Sequence, residues 1–250
     1  MRRITWLGHA TVLLETDPPA RVRLLTDPLL RGRVAHLRRH APSAGARVEV
    51  APVDAVLISH AHHDHLDRGS LRPLARAETQ AVLPRGAAPL LRGLPFGRVR
   101  ELSAGARVAI RGVEIEAVPA WHEVRRFPSR VDHEALGYLV ERVWFAGDTD
   151  LRPQMEALRG RVDVALLPIW GWGPTLGPGH LDPASAARAA ALVRPQVVVP
   201  IHWGTFLPIG MRRRHGAVLR APAQAFAAQV ARTAPGVRVA TLAVGESLEA

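Results

Sequence analysis

Short runs of aliphatic and β-branched residues, closed by Gly, Pro or a polar cluster, recur along this 250-residue chain. Segments 11–15, 22–26, 55–59, 108–110, 113–118, 136–141, 143–146, 164–169, 197–201 and 237–242 read as strands. Helical stretches are fewer. Residues 183–193 form the clearest, with Asp182 placed to cap and Pro183 at the first helical position. Residues 223–232 suggest a second, and a short helix is expected after His65. Early strands followed by strands interleaved with helices predict a layered α/β arrangement. No linker or low-complexity tract interrupts the pattern, which predicts a single domain over residues 1–250. Several strand runs end in a loop that carries His or Asp: His60, His122, Asp148 and His202. Ligands gather at the carboxyl ends of strands in α/β sheets, so these loops are expected to converge.

The sharpest chemical signal is Ser59-His60-Ala61-His62-His63-Asp64-His65-Leu66-Asp67. With 12 His in the whole chain, four within six positions are hard to ascribe to chance. His60 and His62, two residues apart, can aim both imidazoles at one cation, while Asp64 and His65 turn toward a second. His122 completes the first set. Asp148 is suited to bridge both ions through its two oxygens, and His202 completes the second set. Imidazole and carboxylate suit zinc first, with manganese or iron as alternatives. Two divalent ions so held activate a bridging hydroxide and polarise the substrate.

In this order, these residues resemble the metallo-β-lactamase superfamily. Trp6-Leu7-Gly8-His9, Leu25-Thr26-Asp27-Pro28, Phe145-Ala146-Gly147-Asp148-Thr149, His180-Leu181-Asp182-Pro183 and Ile201-His202-Trp203-Gly204-Thr205-Phe206 extend the likeness from residue 6 to residue 206. Within the superfamily they are similar to the N-acyl-phosphatidylethanolamine phospholipase D-like branch and, more distantly, to ascorbate-6-phosphate lactonase-like enzymes. The resemblance implies a four-layer αββα sandwich with two metals at one edge. It also implies a metal-bound hydroxide that attacks a phosphodiester, phospholipid-like in the nearer branch. Asp64 is expected to orient that nucleophile as well as bind metal. His180, from the His-x-Asp-Pro motif, is expected to touch the substrate as electrophile or proton donor. His9 and Asp27 match amino-terminal motifs, where they either fix ligand tautomers or serve the backbone. Two alternatives stand beside the phosphodiesterase: a lactonase acting on a sugar-phosphate or related lactone, and a non-enzymatic metal-binding or RNA-associated protein.

Composition trims these options. Arginine accounts for all 33 basic residues against 22 acidic ones, giving 33 − 22 = +11, and neither Lys nor Asn occurs. That pairing reads as GC-rich coding bias. The arginines are scattered without a nucleic-acid module, so a nucleic-acid partner is not expected. A small-molecule or lipid-like anionic substrate fits the charge. The polar stretch holding Glu123, Arg125, Arg126, Arg130 and His133 is a candidate to cover the metals and read an anionic headgroup. Trp170 and Trp172, at a strand end, are candidates to narrow the pocket. The chain has no Cys, which argues against the antibiotic-hydrolysing subclass with a cysteine ligand. No apolar run approaches the roughly 20 residues of a membrane span, and the start does not read as a signal peptide. A cytoplasmic location is expected, with peripheral membrane contact and oligomeric state left open.

Overall fold

The computed structural model describes residues 1–42, 52–124 and 133–249. The first half supplies β1 (Arg3–Gly8), β2 (Thr11–Glu15), β3 (Arg23–Thr26), β4 (Arg33–Val34), β5 (Leu37–Arg39) and β6 (Ala55–Leu57). Helix α1 (Arg68–Leu71) then precedes β7 (Gln80–Pro84) and β8 (Arg98–Leu102). The second half opens with β9 (Arg107–Ile110), β10 (Val113–Ala120), β11 (Ala135–Val140), β12 (Val143–Phe145) and β13 (Val164–Pro168). Helix α2 (Pro183–Val193), β14 (Val197–Ile201) and β15 (Phe206–Pro208) follow. The chain ends through α3 (Arg212–His215), α4 (Ala221–Thr233), β16 (Arg238–Val239) and β17 (Ser247–Glu249).

Two seven-stranded sheets carry the fold, in the orders β17-β1-β2-β3-β6-β7-β8 and β16-β14-β13-β12-β11-β10-β9. Each joins an antiparallel part to a parallel one, with the change at β3 in the first and at β12 in the second. The period-two alternation of the strands builds the layers. In β6, Ala55 and Leu57 face the core between the sheets, while Val56 packs with Leu66, Leu71 and Leu74 on the outer face. In β13, Val164 and Leu166 face inward; Ala165 and Leu167 meet the alanines of α2 and Phe226 and Val230 of α4. Both faces of these strands are buried, which is why they read as continuous apolar runs. Helices outside and two sheets inside make the expected αββα sandwich. Among the described residues, no helix is long and apolar enough to cross a membrane.

Helix α2 begins and ends where its sequence predicts. Asp182 accepts from the Ser185 amide at 2.7 Å and Ser185 Oγ takes the Asp182 amide at 2.8 Å, a reciprocal cap. The run at 237–242 contributes only Arg238–Val239. Beyond Ala240 the chain leaves the second sheet and crosses to the first, where the Gly245 amide reaches the Trp6 carbonyl and β17 pairs with β1. A small third sheet, β15-β5-β4, was not foreseen. Its hairpin joins Val34 to Leu37 through a two-residue turn, Ala35–His36, with Ala35 at φ 46°. Val34, Leu37 and Phe206 bury its inner face against Leu29.

Candidate metal centre

The site gathers at the carboxyl ends of the strands of both sheets. His9 follows β1, Asp27 follows β3, and the stretch from Ser59 to Asp67 follows β6. From the second sheet, His122 follows β10, Asp148 follows β12, Trp170 follows β13 and His202 follows β14. Three non-glycine residues here have positive φ: His9 at 54°, Asp27 at 33° and His202 at 60°. Such backbone costs of order 1–3 kcal/mol each and persists where the surroundings fix it. The surroundings do fix it: the His202 amide donates to the His9 carbonyl at 2.8 Å, and the His9 amide donates to Thr205 Oγ1 at 2.8 Å.

The seven side chains expected to bind metal lie together in two adjoining sets. His60 Nε2 and His122 Nε2 each lie 3.0 Å from His62 Nδ1. His65 Nε2 and His202 Nε2 face each other at 3.0 Å. Asp64 Oδ2 is 3.7 Å from each of these last two nitrogens. Asp148 sits between the sets, with Oδ2 3.2 Å from His65 Nε2 and Oδ1 3.4 Å from His202 Nε2. It also groups with His60 and His65, and with His122 and His180.

The outer nitrogens explain why the inner ones face each other. His65 Nδ1 donates to Asp27 Oδ2 at 2.7 Å, His202 Nδ1 to the Trp170 carbonyl at 2.9 Å, and His122 Nδ1 to the Gly179 carbonyl at 2.8 Å. A neutral ring so tied presents a lone pair inward, and at His65 and His202 two such lone pairs would face each other at 3.0 Å, a geometry that a shared cation relieves. Four-coordinate zinc with bonds of 2.0–2.1 Å would set its nitrogens about 3.3 Å apart, close to the spacing found. Asp148 Oδ1 is buried without a hydrogen-bond partner among the described residues. These residues fit a pair of divalent ions.

Electrostatics supports the same assignment. Burial, reinforced by neighbouring imidazoles, holds His60 well below the ordinary histidine range and His62 down to about 4. Burial also lowers His122. All three are neutral and ready to ligate. Burial opposes charge on His65 and His202 too, but Asp148 and Asp64 outweigh it and raise both, so the carboxylates draw positive charge to this pair, a proton in the free protein and a divalent ion in its place when one binds. The same attraction overcomes burial at Asp64 and Asp148 and keeps both carboxylates ionised.

A second ring of contacts positions these groups. Asp27, fully buried, accepts from the Ser59 amide at 2.7 Å, Ser59 Oγ at 2.6 Å and His65 Nδ1. His9 lies 2.9 Å from Asp64 Oδ2 through Nε2, and burial drives its pKa down to about 3. It is a neutral donor that aims the carboxylate. Both residues thus make the contacts needed to orient ligands, the first of the two roles open to them from sequence. Asp67 caps α1 at the end of the motif and takes two hydrogen bonds from Arg31, at 2.6 and 2.8 Å.

His180 reaches the rim of the site. Its Nε2 is 3.6 Å from Asp148 Oδ2, its ring packs edge-on against His122 at 4.6 Å, and its side chain stays 24% exposed. From the polar stretch, His133 Nε2 instead accepts the Ala61 amide at 3.0 Å and steadies the motif backbone. Arg125, Arg126 and Arg130 lie outside the described residues. Trp172 lines a cavity of about 320 Å³ that opens beside the metal ligands, together with His36 of the β4–β5 turn. Sequence reasoning passed over His36; the alternation of Val34 and Leu37 around a two-residue turn was the available signal.

Residues 22–203 match the model of the beta-lactamase superfamily domain, so the chain belongs to that family. More narrowly, it is a member of the UPF0173 metal-dependent hydrolase family. It is 35% identical over 217 residues to such a protein from Methanopyrus kandleri, covering 83% of this chain and 86% of that one. A Thermococcus onnurineus member is 33% identical, over 84% and 88% of the two chains. Among solved structures, the metallo hydrolase Igni18 of Ignicoccus hospitalis superposes with a TM-score of 0.72, at 23% identity over 99% and 97% of the chains. An isothiocyanate hydrolase from Delia radicum gut bacteria gives 0.69 at 19% identity, over 99% and 98%. Both likenesses concern the fold.

Proposed function

We propose that the protein is a dinuclear metal-dependent hydrolase that cleaves a phosphodiester. The observation that carries this reading is the pair of facing imidazole sets joined by Asp148, with inner nitrogens 3.0 Å apart. Two divalent ions, held by five neutral imidazoles and two carboxylates, would leave a positive centre that attracts an anionic ester, polarises its oxygen and supplies an activated water. His60, His62 and His122 would hold one ion, Asp64, His65 and His202 the other, and Asp148 both. Zinc suits this donor set, and manganese or iron would also bind.

The chain's own groups do the remaining work. Asp27 and His9 keep His65 and Asp64 aimed inward. Asp64, 13% exposed at the cavity floor, orients the attacking water. His180 stands on the open side with Nδ1 donating to the Gly177 and Pro178 carbonyls at 3.2 Å; only with the second nitrogen also protonated would Nε2 donate to the departing oxygen. The names of the relatives support hydrolysis, and the motifs shared with phospholipase D-like enzymes support the phosphodiester.

A lactone or related carbonyl substrate is the second reading. It is favoured by the cavity lining, where no arginine occurs among the described residues. Hydrolysis of a chromogenic phosphodiester and of a lactone panel by metal-loaded protein separates the two. Phosphodiester turnover that falls at least about 100-fold in Asp148→Ala is expected. Turnover of lactones alone would transfer the assignment to the second reading, and metal binding without either activity would overturn both.

A further inference from the structure

The cavity beside the metal ligands has a floor and a wall of opposite character. Asp64, Asp148, His180 and His202 form the floor, and Val34, Leu37, Trp172 and Leu176 the wall. A ligand whose reacting centre sits on the floor must rest its organic part against apolar surface. At about 320 Å³ the space lies at the small end of ligand cavities, which run roughly 300–1,000 Å³. The chain has 33 arginines, yet none of the described lining residues is one. None of the side chains of Val34, Leu37, Trp172 and Leu176 would stabilise a charged arm.

The wall is braced from two directions. Trp172 meets His36 edge-to-face, with centroids 4.8 Å apart and planes at 81°, so the β4–β5 turn, which lines the same cavity, supports the indole. The loop behind it is closed by Trp170 Nε1 donating to the Gly173 carbonyl at 3.0 Å. Its Trp170 carbonyl takes the His202 Nδ1 proton, which ties the wall to a metal ligand. Gly171 keeps this contact close: a Cβ there would come within 3.1 Å of Leu176 Cδ2 and 3.9 Å of His202 Cε1.

We propose that this cavity selects esters bearing a compact, uncharged apolar group of about one ring, and that Trp172 is the specificity-determining wall. The inference rests on the hydrolase reading, and its test separates the two. Calorimetric binding of methylphosphonate and phenylphosphonate to the zinc-loaded protein measures the wall without turnover. Phenylphosphonate is expected to bind about tenfold tighter, a preference reduced to within about twofold in Trp172→Ala and kept in Trp172→Phe. The KM values of phenyl and methyl p-nitrophenyl phosphate should show the same ratio. Equal phosphonate affinities in the wild type, or a phenyl preference unchanged in Trp172→Ala, would overturn the wall. A phenyl preference without hydrolysis of either ester would uphold the wall and remove the phosphodiesterase reading instead. Retention of the phenyl preference in Trp172→Phe guards against mistaking a collapsed loop for a lost contact.

Discussion

Asp27 shows how much a single side chain can hold. It is fully buried, at φ 33°, and its two oxygens take the Ser59 amide, Ser59 Oγ and His65 Nδ1. Burial raises its pKa, yet these donors favour the charged form, and the outcome fixes the His65 tautomer. Removing such a partner typically costs 10–100-fold in metal affinity. Asp27→Ala is therefore expected to weaken metal binding by about that factor while His65 itself remains, measured by competitive zinc titration. Unchanged affinity would reduce Asp27 to a backbone role. The sequence showed Asp27 and His9 only as motif matches with two possible uses. Their partners, His65 and Asp64, lie 38 and 55 residues away, and only the fold reveals which use applies. The His60-to-Asp67 stretch was legible without a fold because four imidazoles and two carboxylates in eight positions have few other uses.

At the scale of elements, legibility followed local chemistry. Helix α2 carries its own start signal in Asp182-Pro183 and its reciprocal cap, so the expected and observed limits coincide. Strand β10 announces itself by alternation, Val113-Glu114-Ile115-Glu116, and β13 as an apolar run between turns. The hairpin β4–β5 and strand β15 do not, because elements of two or three residues, Arg-rich in β4 and β5, are set by tertiary pairing rather than by period. Strand β1 was hidden for another reason: Ile4 and Trp6 face the core, but the run is short and abuts the Gly8-His9 motif. Helix α1 is one turn long and depends on Asp67, which caps it and binds Arg31. Burial pushes the Asp67 carboxyl up, but Arg31 and Ser70 outweigh it and leave its pKa lowered. Stability from a lowered carboxyl is present above the unfolded value, about 3.9, and is lost as pH falls through the folded one. Arg31→Ala should cost up to about 1 kcal/mol near neutral pH, since the guanidinium is half exposed. Thermal melts of the variant and wild type should converge as pH falls through the lowered Asp67 value, below the unfolded one. A difference that persists there would assign the effect to packing by Arg31.

The whole molecule places one function at one seam. The sheets meet through a shared core of Ile4, Trp6, Leu57, Tyr138, Phe145 and Leu166, and their strand ends open onto the same edge. His60, His62, Asp64 and His65 come from the first sheet, and His122, Asp148 and His202 from the second, so bound metal would fasten the two together. That convergence was expected from four strand ends, and the structure adds those of β1, β3 and β13, whose residues position the others. The direct test of the central claim is a count of metal. Protein stripped with a chelator and reloaded with zinc should hold two ions per chain by elemental analysis and regain a higher melting temperature, since a ligand bound only to the folded state stabilises it. Asp148→Ala, missing the bridge, should hold at most one. Two ions retained in Asp148→Ala, or one or none in the wild type, would contradict the dinuclear centre.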